Sequence, residues 1–156
     1  MKQIKAESER LIISPKSLEE MNRLYESEQD EELKKAYGEM IDSMKKTPEQ
    51  EEWSSDWTIS LRDGQEVGGI GFKGMADENG TVDVGYQIWD EFCRNGYAGE
   101  AVGAMVDWCF QQPAVCCVKA ETAPDNEISQ KVLKKNGFVP NGFGEEGPIF
   151  EKRKPV

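Results

Sequence analysis

The sequence predicts a single α+β domain: a mixed sheet, mostly antiparallel but with one parallel pair of strands, flanked by about four helices. Three observations predict this class. Apolar residues at helical spacing dominate the first third of the chain, short alternating segments separated by turn residues follow, and the second half interleaves strand-like and helical segments. The length of 156 residues suits one domain, residues 1–156, with enough chain to bury a core.

The first third of the chain is predicted to contain one strand and two helices. A short apolar strand at residues 10–13 ends at a Ser-Pro pair. Ser17 and Glu20 have the spacing of a capping box, which predicts a helix from there to about residue 27. An apolar stripe at helical spacing predicts a second helix at residues 31–46.

Three strands are predicted next, arranged as an antiparallel meander. Residues 57–61 alternate apolar and polar side chains, an Asp-Gly turn follows, and residues 66–72 form the returning strand. The glycines of that strand predict a bulge or a close backbone approach. The third strand, residues 82–89, places Val82, Val84, Tyr86 and Ile88 on one face and Asp83, Gly85 and Gln87 on the other.

The remaining chain alternates helices and strands. Residues 100–112 have a wide apolar face and predict a helix, and residues 115–122 predict an apolar, central strand. Because a helix joins strand 82–89 to strand 115–122, these two strands are expected to run parallel. A further helix is predicted to begin at Asn126, and two short strands joined by a glycine-rich loop end the fold.

The segment between strand 82–89 and helix 100–112 carries the first functional signal. Gly96, Ala98 and Gly99 are small, so main-chain N–H groups there can converge on an anion without side chains in the way. The helix start adds unpaired donors and the positive end of a dipole. The loop therefore favours a pyrophosphate site, although glycines at a tight strand-to-helix turn also occur without a ligand.

Two common phosphate-binding patterns do not fit this loop. The Walker pattern requires Gly-Lys-Ser/Thr, but Gly99 is followed by Glu100. The dinucleotide pattern requires three glycines at fixed spacing, and only Gly96 and Gly99 are present.

The amino-acid composition limits the classes of molecule that this protein is expected to bind. The formal net charge of −11 argues against a nucleic-acid partner, and it suits either a cationic substrate or an ordinary acidic surface. No apolar segment is long enough to span a bilayer, and no apolar signal core follows the N-terminus, so we expect a cytoplasmic protein without a membrane partner. Four cysteines without a CxxC pair and the absence of histidine predict no metal site.

Two motifs in order resemble the signatures of the GNAT superfamily of N-acetyltransferases. The loop and helix start at residues 94–101 resemble the first signature, and residues 126–138 resemble the second. The 57–72 hairpin, Gly85-Tyr86 in the next strand and the opening at residues 9–12 are also similar. The resemblance covers nearly the whole chain, and it is strongest to the branch that includes ribosomal-protein alanine N-acetyltransferases.

The resemblance implies that acetyl-CoA donates its acetyl group to a primary amine, either a small molecule or a protein N-terminus, by direct transfer in a ternary complex. It places the pantetheine arm at a strand edge and in the gap where the parallel strands splay, with a main-chain N–H of Ile88 or a neighbour polarising the thioester. The residues that it implies for the cofactor are Gln87, Ile88, Trp89 and Asn126 for the arm, and Arg94, Asn95, Gly96, Tyr97, Ala98, Gly99 and Glu100 for the pyrophosphate.

The loop departs from the family pattern at two positions. Cys93 stands where the family often has Gln or Arg, which puts one side-chain contact in doubt. Gly99 stands where Thr or Ser is common, which removes a hydroxyl that could contact phosphate.

The amine must attack in its neutral form, and a protein α-amine, with a pKa of roughly 7.7–8.0, is partly neutral near pH 7. A weak base, acting directly or through water, is then sufficient. Asp83 is the first candidate and Glu121 the second, each against the alternative of a solvated or lysine-paired carboxylate. Ser129 either protonates the leaving thiolate or caps its helix.

Two further readings compete with the enzyme. One is a catalytically inactive CoA-binding or interaction module on the same fold, and the other is a site for a different nucleotide. The first two helices and the acidic segment 49–57 are expected to form the acceptor site, which suggests a cationic acceptor. Trp53 and Trp89 are candidates to line that site or to pack in the core. The sequence leaves open whether the protein is a monomer or a homodimer.

Overall fold

The computed structural model describes residues 4–155; residues 1–3 and 156 of the predicted domain lie outside this range. The four helices are α1 (Leu18–Ser27), α2 (Glu31–Lys46), α3 (Tyr97–Phe110) and α4 (Glu127–Lys135). The eight strands are β1 (Ala6–Glu7), β2 (Leu11–Pro15), β3 (Asp56–Leu61), β4 (Glu66–Phe72), β5 (Thr81–Ile88), β6 (Cys117–Glu121), β7 (Val139–Phe143) and β8 (Pro148–Arg153). Single 3₁₀ turns occur at Glu51–Trp53 and Asp90–Phe92.

The strands form one twisted sheet in the order β1-β2-β3-β4-β5-β6-β8-β7. All neighbouring pairs are antiparallel except β5 and β6, which are parallel. The predicted fold class, with its single parallel pair and four helices, is therefore confirmed. None of the described helices combines the length and the apolar character needed to cross a membrane.

Several boundaries differ from the prediction. The helix expected at residue 100 begins at Tyr97, because Gly96 adopts a left-handed conformation (φ 80°) and ends the loop there. The strand expected at 115–122 spans only Cys117–Glu121. In contrast, β7 continues into the glycine-rich segment, and the two-residue β1 was not predicted at all.

The glycine-rich strand β4 behaves as expected. The register between β3 and β4 shifts between Ile59 and Ser60, which is the predicted bulge. A Cβ on Gly68 would overlap the main-chain carbonyl oxygen of Gln87, so the close backbone approach is also present.

The core lies mainly between the sheet and α3. Val82 and Val84 of β5 pack with the buried face of α3, as their alternation predicts. Trp53 is 7% exposed, and its ring centroid lies 4.8 Å from that of Phe72 and 5.1 Å from that of Trp108. Trp53 is thus a core residue and does not line an acceptor site. A second, smaller cluster joins α1 and α2 through Met21, Ile41 and Met44.

Candidate functional site

The parallel strands β5 and β6 separate partway along their length. They pair only at Thr81 with Cys117, Val82 with Val118 and Asp83 with Lys119. Beyond Asp83, β5 remains paired with β4 as far as Ile88, and β6 remains paired with β8 as far as Glu121. Because β5 stays paired with β4 and β6 stays paired with β8, a wedge-shaped opening forms between β5 and β6 in the middle of the sheet.

The alternation of the β4–β5 ladder decides which main-chain groups face this opening. Asp83 accepts at its carbonyl from the Lys73 N–H (2.9 Å), and the Trp89 N–H donates to the Val67 carbonyl (2.8 Å). The odd-numbered residues of β5 therefore direct their N–H and C=O groups to β4. The groups of Val84, Tyr86 and Ile88 consequently face the opening.

This geometry changes the prediction for the strand edge. Of Gln87, Ile88 and Trp89, only Ile88 presents its main chain to the opening, because the main-chain groups of the other two belong to the β4 side. The main-chain groups of Val84 and Tyr86 face the opening together with those of Ile88. The side chain of Gln87 borders a separate cavity next to α2.

The small-residue loop forms the N-terminus of α3. Arg94 (φ 70°) and Gly96 (φ 80°) both have positive φ, which turns the chain from β5 into the helix. The N–H groups of residues 97–99 belong to the first helical turn and so have no intrahelical acceptor, whereas the Glu100 N–H donates to the Gly96 carbonyl (3.2 Å). The N–H groups of Tyr97, Ala98 and Gly99 are therefore available to an anion at this helix start.

A cavity of about 350 Å³ lies beside these donors. It is lined by Ile88 at the open end of β5, by Arg94 and by the loop residues Gly96–Gly99. A Cβ on Gly99 would have no neighbour within 4 Å, so that position faces open space. The loop and the opening are thus contiguous through Ile88.

Asn95 and Glu100, both predicted to hold pyrophosphate, use their side chains inside the protein. Asn95 Nδ2 donates to the Phe92 carbonyl (3.0 Å), which shapes the loop. The Glu100 carboxylate accepts from Ser8 Oγ (2.5 Å), the Arg10 N–H (2.9 Å) and Arg10 Nε (2.8 Å). Burial acts to raise the pKa of Glu100, but the bonds from Ser8 and Arg10 outweigh it and the pKa is lowered. Glu100 therefore fastens the start of the chain to α3.

Arg10 lies in this region, although sequence reasoning assigned it no role. Its guanidinium lies 4.8 Å from the centroid of the Tyr97 ring, and its Nη2 would be 3.3 Å from a Cβ on Gly96. Arg10 thus adds a second positive charge next to the loop, beside Arg94. The signal was present in the Glu-Arg-Leu-Ile opening, but no sequence pattern connects residue 10 to residue 97.

Ser129 and Asn126 lie at the start of α4, across the opening from β5. Asn126 Oδ1 accepts from the Ser129 N–H (3.1 Å), so Asn126 is the helix cap. The Ser129 hydroxyl is 2.7 Å from the Tyr86 hydroxyl. The helix cap is thus supplied by Asn126, and the Ser129 hydroxyl contacts Tyr86.

Tyr86 is the functional candidate that sequence reasoning missed. Burial raises the pKa of Tyr86, and the bond with Ser129 lowers it by a smaller amount. Its alternation with Val82 and Val84 did predict the face on which it lies. Its partner is 43 residues away in sequence, so the bond itself required the fold.

The second signature is joined to the first through one side chain. Asn136 Nδ2, at the end of α4, donates to the Gly99 carbonyl in the first turn of α3 (3.1 Å). A Cβ on Gly103 would lie 2.9 Å from Asn136 Oδ1, so the two helices are in close contact. This fixes the C-terminal end of α4 relative to the first turn of α3.

The structure separates the two carboxylates proposed as bases. Among the described residues, Asp83 Oδ1 is buried without a hydrogen-bond partner. Burial raises the pKa of Asp83, and nearby Lys73 and Lys119 act against this rise. Glu121 instead accepts from the Glu146 N–H (2.6 Å) and positions the β7–β8 loop. That loop brings Glu146, which the sequence did not suggest, to the cavity beside Tyr86.

Two cavities meet at β5. One, of about 290 Å³, occupies the opening and is lined by Tyr86, Ser129 and Asn126 among others. The other, of about 300 Å³, lies between α2 and the β4–β5 sheet. Gly85 and Tyr86 line both, so this glycine lies where a molecule in one cavity can reach a molecule in the other.

The acidic segment does not surround this junction. Glu49, Glu51 and Glu52 line a different cavity of about 450 Å³, next to Ser14–Ser17. Only Asp56 lines the cavity beside α2, and its Oδ2 is 2.9 Å from Lys16 Nζ. Within segment 49–57, Asp56 thus borders the cavity beside α2, and none of the segment's described residues lines the opening between β5 and β6.

Comparison with known proteins gives a consistent family. The family described as "Acetyltransferase (GNAT) domain" matches residues 10–139. Uncharacterized N-acetyltransferase YoaA of Bacillus subtilis (strain 168) is 32% identical over 143 residues, which are 91% of this chain and 80% of that protein. Uncharacterized N-acetyltransferase YjdG of the same strain is 38% identical over 86 residues, 54% of this chain and 51% of YjdG. The match thus spans about half the length of YjdG.

Solved structures share the fold at lower identity. The ribosomal-protein-S5-alanine acetyltransferase from Vibrio fischeri superposes with a TM-score of 0.70 at 17% identity, covering 97% of each chain. Mycobacterium smegmatis RimJ, solved in complex with CoA-disulfide, superposes with a TM-score of 0.69 at 14% identity, covering 92% of this chain and 81% of that one.

Proposed function

Because the chain belongs to the GNAT acetyltransferase family, we propose that it transfers an acetyl group from acetyl-CoA directly to a primary amine in a ternary complex. The observation that carries this proposal is the opening between β5 and β6. It connects an anion-binding helix start at one end with a hydroxyl pair at its side and a second cavity across β5. One substrate can thus meet another at Gly85.

The loop supplies the cofactor's anionic end with donors and charge. The N–H groups of Tyr97, Ala98 and Gly99, with the dipole of the 14-residue α3, would bind the pyrophosphate. Arg94 places positive charge beside it, whereas the charge of Arg10 is paired with Glu100. Asn95 and Glu100 act indirectly, because their side chains hold the loop in shape.

The open edge of β5 supplies hydrogen-bonding groups for the amide-rich pantetheine arm. The main chains of Val84, Tyr86 and Ile88 would pair with it as a missing strand would. One of these N–H groups would also stabilise the negative charge that develops on the thioester oxygen. Asn126 borders the same cavity at the start of α4.

Ser129 is placed to protonate the leaving thiolate. As the amine nitrogen bonds to the acyl carbon and the carbon–sulfur bond breaks, Ser129 Oγ would give its proton to sulfur. Ser129 would regain its proton from the Tyr86 hydroxyl, 2.7 Å away, as Tyr86 takes a proton from water in the opening. The amine loses its own proton to a base, and Asp83 is our proposal because its buried Oδ1 has no hydrogen-bond partner among the described residues and burial raises its pKa. Glu121 is a weaker candidate for the base, because its carboxylate already accepts a hydrogen bond from the main-chain N–H of Glu146.

A thiol-release assay tests the function. Acetyl-CoA is supplied with a panel of amines, including small amines and short peptides with free N-termini, and free CoA is measured together with the acetylated product. We expect amine-dependent CoA release with equal amounts of both products. An inactive CoA-binding module would bind acetyl-CoA in a calorimeter yet release none. Equal heats with ATP or NAD would favour the different-nucleotide alternative.

A further inference from the structure

The cavity between α2 and the sheet, which we call the acceptor cleft, has an apolar wall. Leu33, Ala36, Tyr37 and Met40 from α2 line one side, and Trp89 lies on the other. Leu33 is 41% exposed and Trp89 is 39% exposed, so apolar surface extends to the rim. A volume of about 300 Å³ accommodates one large side chain and its backbone.

The acceptor cleft carries little charge for a polycation to bind. Among its described lining residues, Asp56 is the charged one, and Lys16 Nζ lies 2.9 Å from its Oδ2. Glu49, Glu51 and Glu52, which suggested a cationic acceptor, line another cavity. A second ammonium group placed in this cleft would lose water without gaining a free carboxylate.

The position of Gly85 indicates how an acceptor amine would pass from the cleft into the opening. A Cβ on Gly85 would have no neighbour within 4 Å, so the floor of the cleft is open at this point. Asp83 precedes it on the same face of β5, and Tyr86 lines the opening beyond it. An amine that passes over Gly85 therefore leaves its attached side chain between Tyr37, Met40 and Trp89.

We propose that the acceptor is an amine attached to a large apolar group, such as a peptide N-terminus beginning with Met, Leu or Phe, and not a polyamine or an aminoglycoside. This inference rests on the proposed function. It specifies which acceptors the cleft selects, through burial of the first side chain against α2 and Trp89.

The test compares acceptors that share one nucleophile. The tripeptide amides Met-, Leu-, Phe-, Ala- and Lys-Gly-Gly present the same α-amine, and spermidine represents the polyamines. We expect kcat/KM for the Met, Leu and Phe peptides to exceed that for the Lys peptide and spermidine by about tenfold or more. Equal or greater kcat/KM for the Lys peptide or spermidine would overturn the proposal.

A charge placed in the cleft provides a matched experiment. Leu33→Glu adds a carboxylate at the rim, in the first turn of α2 where an acid suits the helix dipole, so the fold is retained. We expect it to lower kcat/KM for the Leu peptide and raise it for the Lys peptide. The control, Lys35→Glu, adds negative charge on the same helix outside the cleft and should leave the ratio unchanged. An unchanged ratio in both variants would contradict the proposal.

Acetyl-CoA titration separates the two levels of inference. If acetyl-CoA binds and is consumed but Leu33→Glu and the panel show no preference for apolar acceptors, this inference fails alone. If acetyl-CoA gives no heat and no amine releases CoA, the proposed function fails as well.

Discussion

The hydrogen bond between Tyr86 and Ser129 offers the sharpest test of the proposed chemistry. Tyr86→Phe removes one hydroxyl and keeps the ring that packs against the core. The two hydroxyls are 2.7 Å apart and both residues are half-buried, so the stability cost is about 1 kcal/mol. An interaction of about 1–2 kcal/mol that also holds the acid in place at the transition state corresponds to a fall of roughly tenfold in kcat.

The assay is steady-state CoA release across acetyl-CoA concentrations, with urea unfolding for stability. We expect kcat to fall while KM for acetyl-CoA stays within about twofold, because the lost interaction serves the transition state and not binding. Tyr25→Phe, on α1 and 37% exposed, is the matched control and should change neither quantity. The double variant with Ser129→Ala should be no slower than Ser129→Ala alone, since Tyr86 acts through Ser129. Unchanged turnover in Tyr86→Phe, or losses that add in the double variant, would refute the reasoning.

Three further predictions concern the base, the loop and its support. Burial raises the pKa of Asp83, so the ionised carboxylate destabilises the folded protein at pH values above that pKa. Asp83→Asn should therefore raise Tm more at pH 7 than at pH 4, and it should remove the acidic limb of the pH profile of kcat/KM. An unchanged pH profile would exclude Asp83 as the base. Gly99→Ser adds a hydroxyl in open space on the first turn of α3 and should lower KM for acetyl-CoA by about threefold, measured by CoA release, whereas a higher KM would argue against phosphate at this turn. The pKa of Glu100 is lowered, so its ionised carboxylate stabilises the fold above the pKa of the unfolded state, and this stabilisation is lost as pH falls through the pKa of the folded state. Glu100→Gln should lower the free energy of unfolding in urea by about 1 kcal/mol at pH 7 and by less at pH 4. Equal losses at the two pH values would contradict the assigned hydrogen bonds.

Local sequence patterns predicted those helices and strands whose boundaries and orientation are not changed by tertiary contacts. The apolar stripe of α2 gave both of its ends, and the capping box of α1 is present with both of its hydrogen bonds. The alternation in β5 gave the facing of Asp83 and Tyr86. The parallel direction of β5 and β6 followed from the connecting helix alone.

The rest depended on contacts that no local pattern encodes. The glycines before α3 indicated a loop, but the positive φ of Gly96 starts the helix within that segment. The sequence shows that segment 49–57 is acidic, but it does not show which cavity each carboxylate faces. The fold shows that Asp56 lines the acceptor cleft, whereas Glu49, Glu51 and Glu52 line another cavity. Likewise, Glu121 is satisfied by a loop 25 residues away.

The opening also makes the sheet two half-sheets, β1–β5 and β6–β8, joined by three residue pairs. If those pairs act as a hinge, Ile88 lies five residue steps beyond Asp83, which is about 17 Å along β5. A rotation of about 5° at the hinge would move Ile88 by about 1.5 Å relative to α4, which is enough to change the alignment of reacting groups. The three pairs between residues 81–83 and 117–119 would therefore determine the width of the opening.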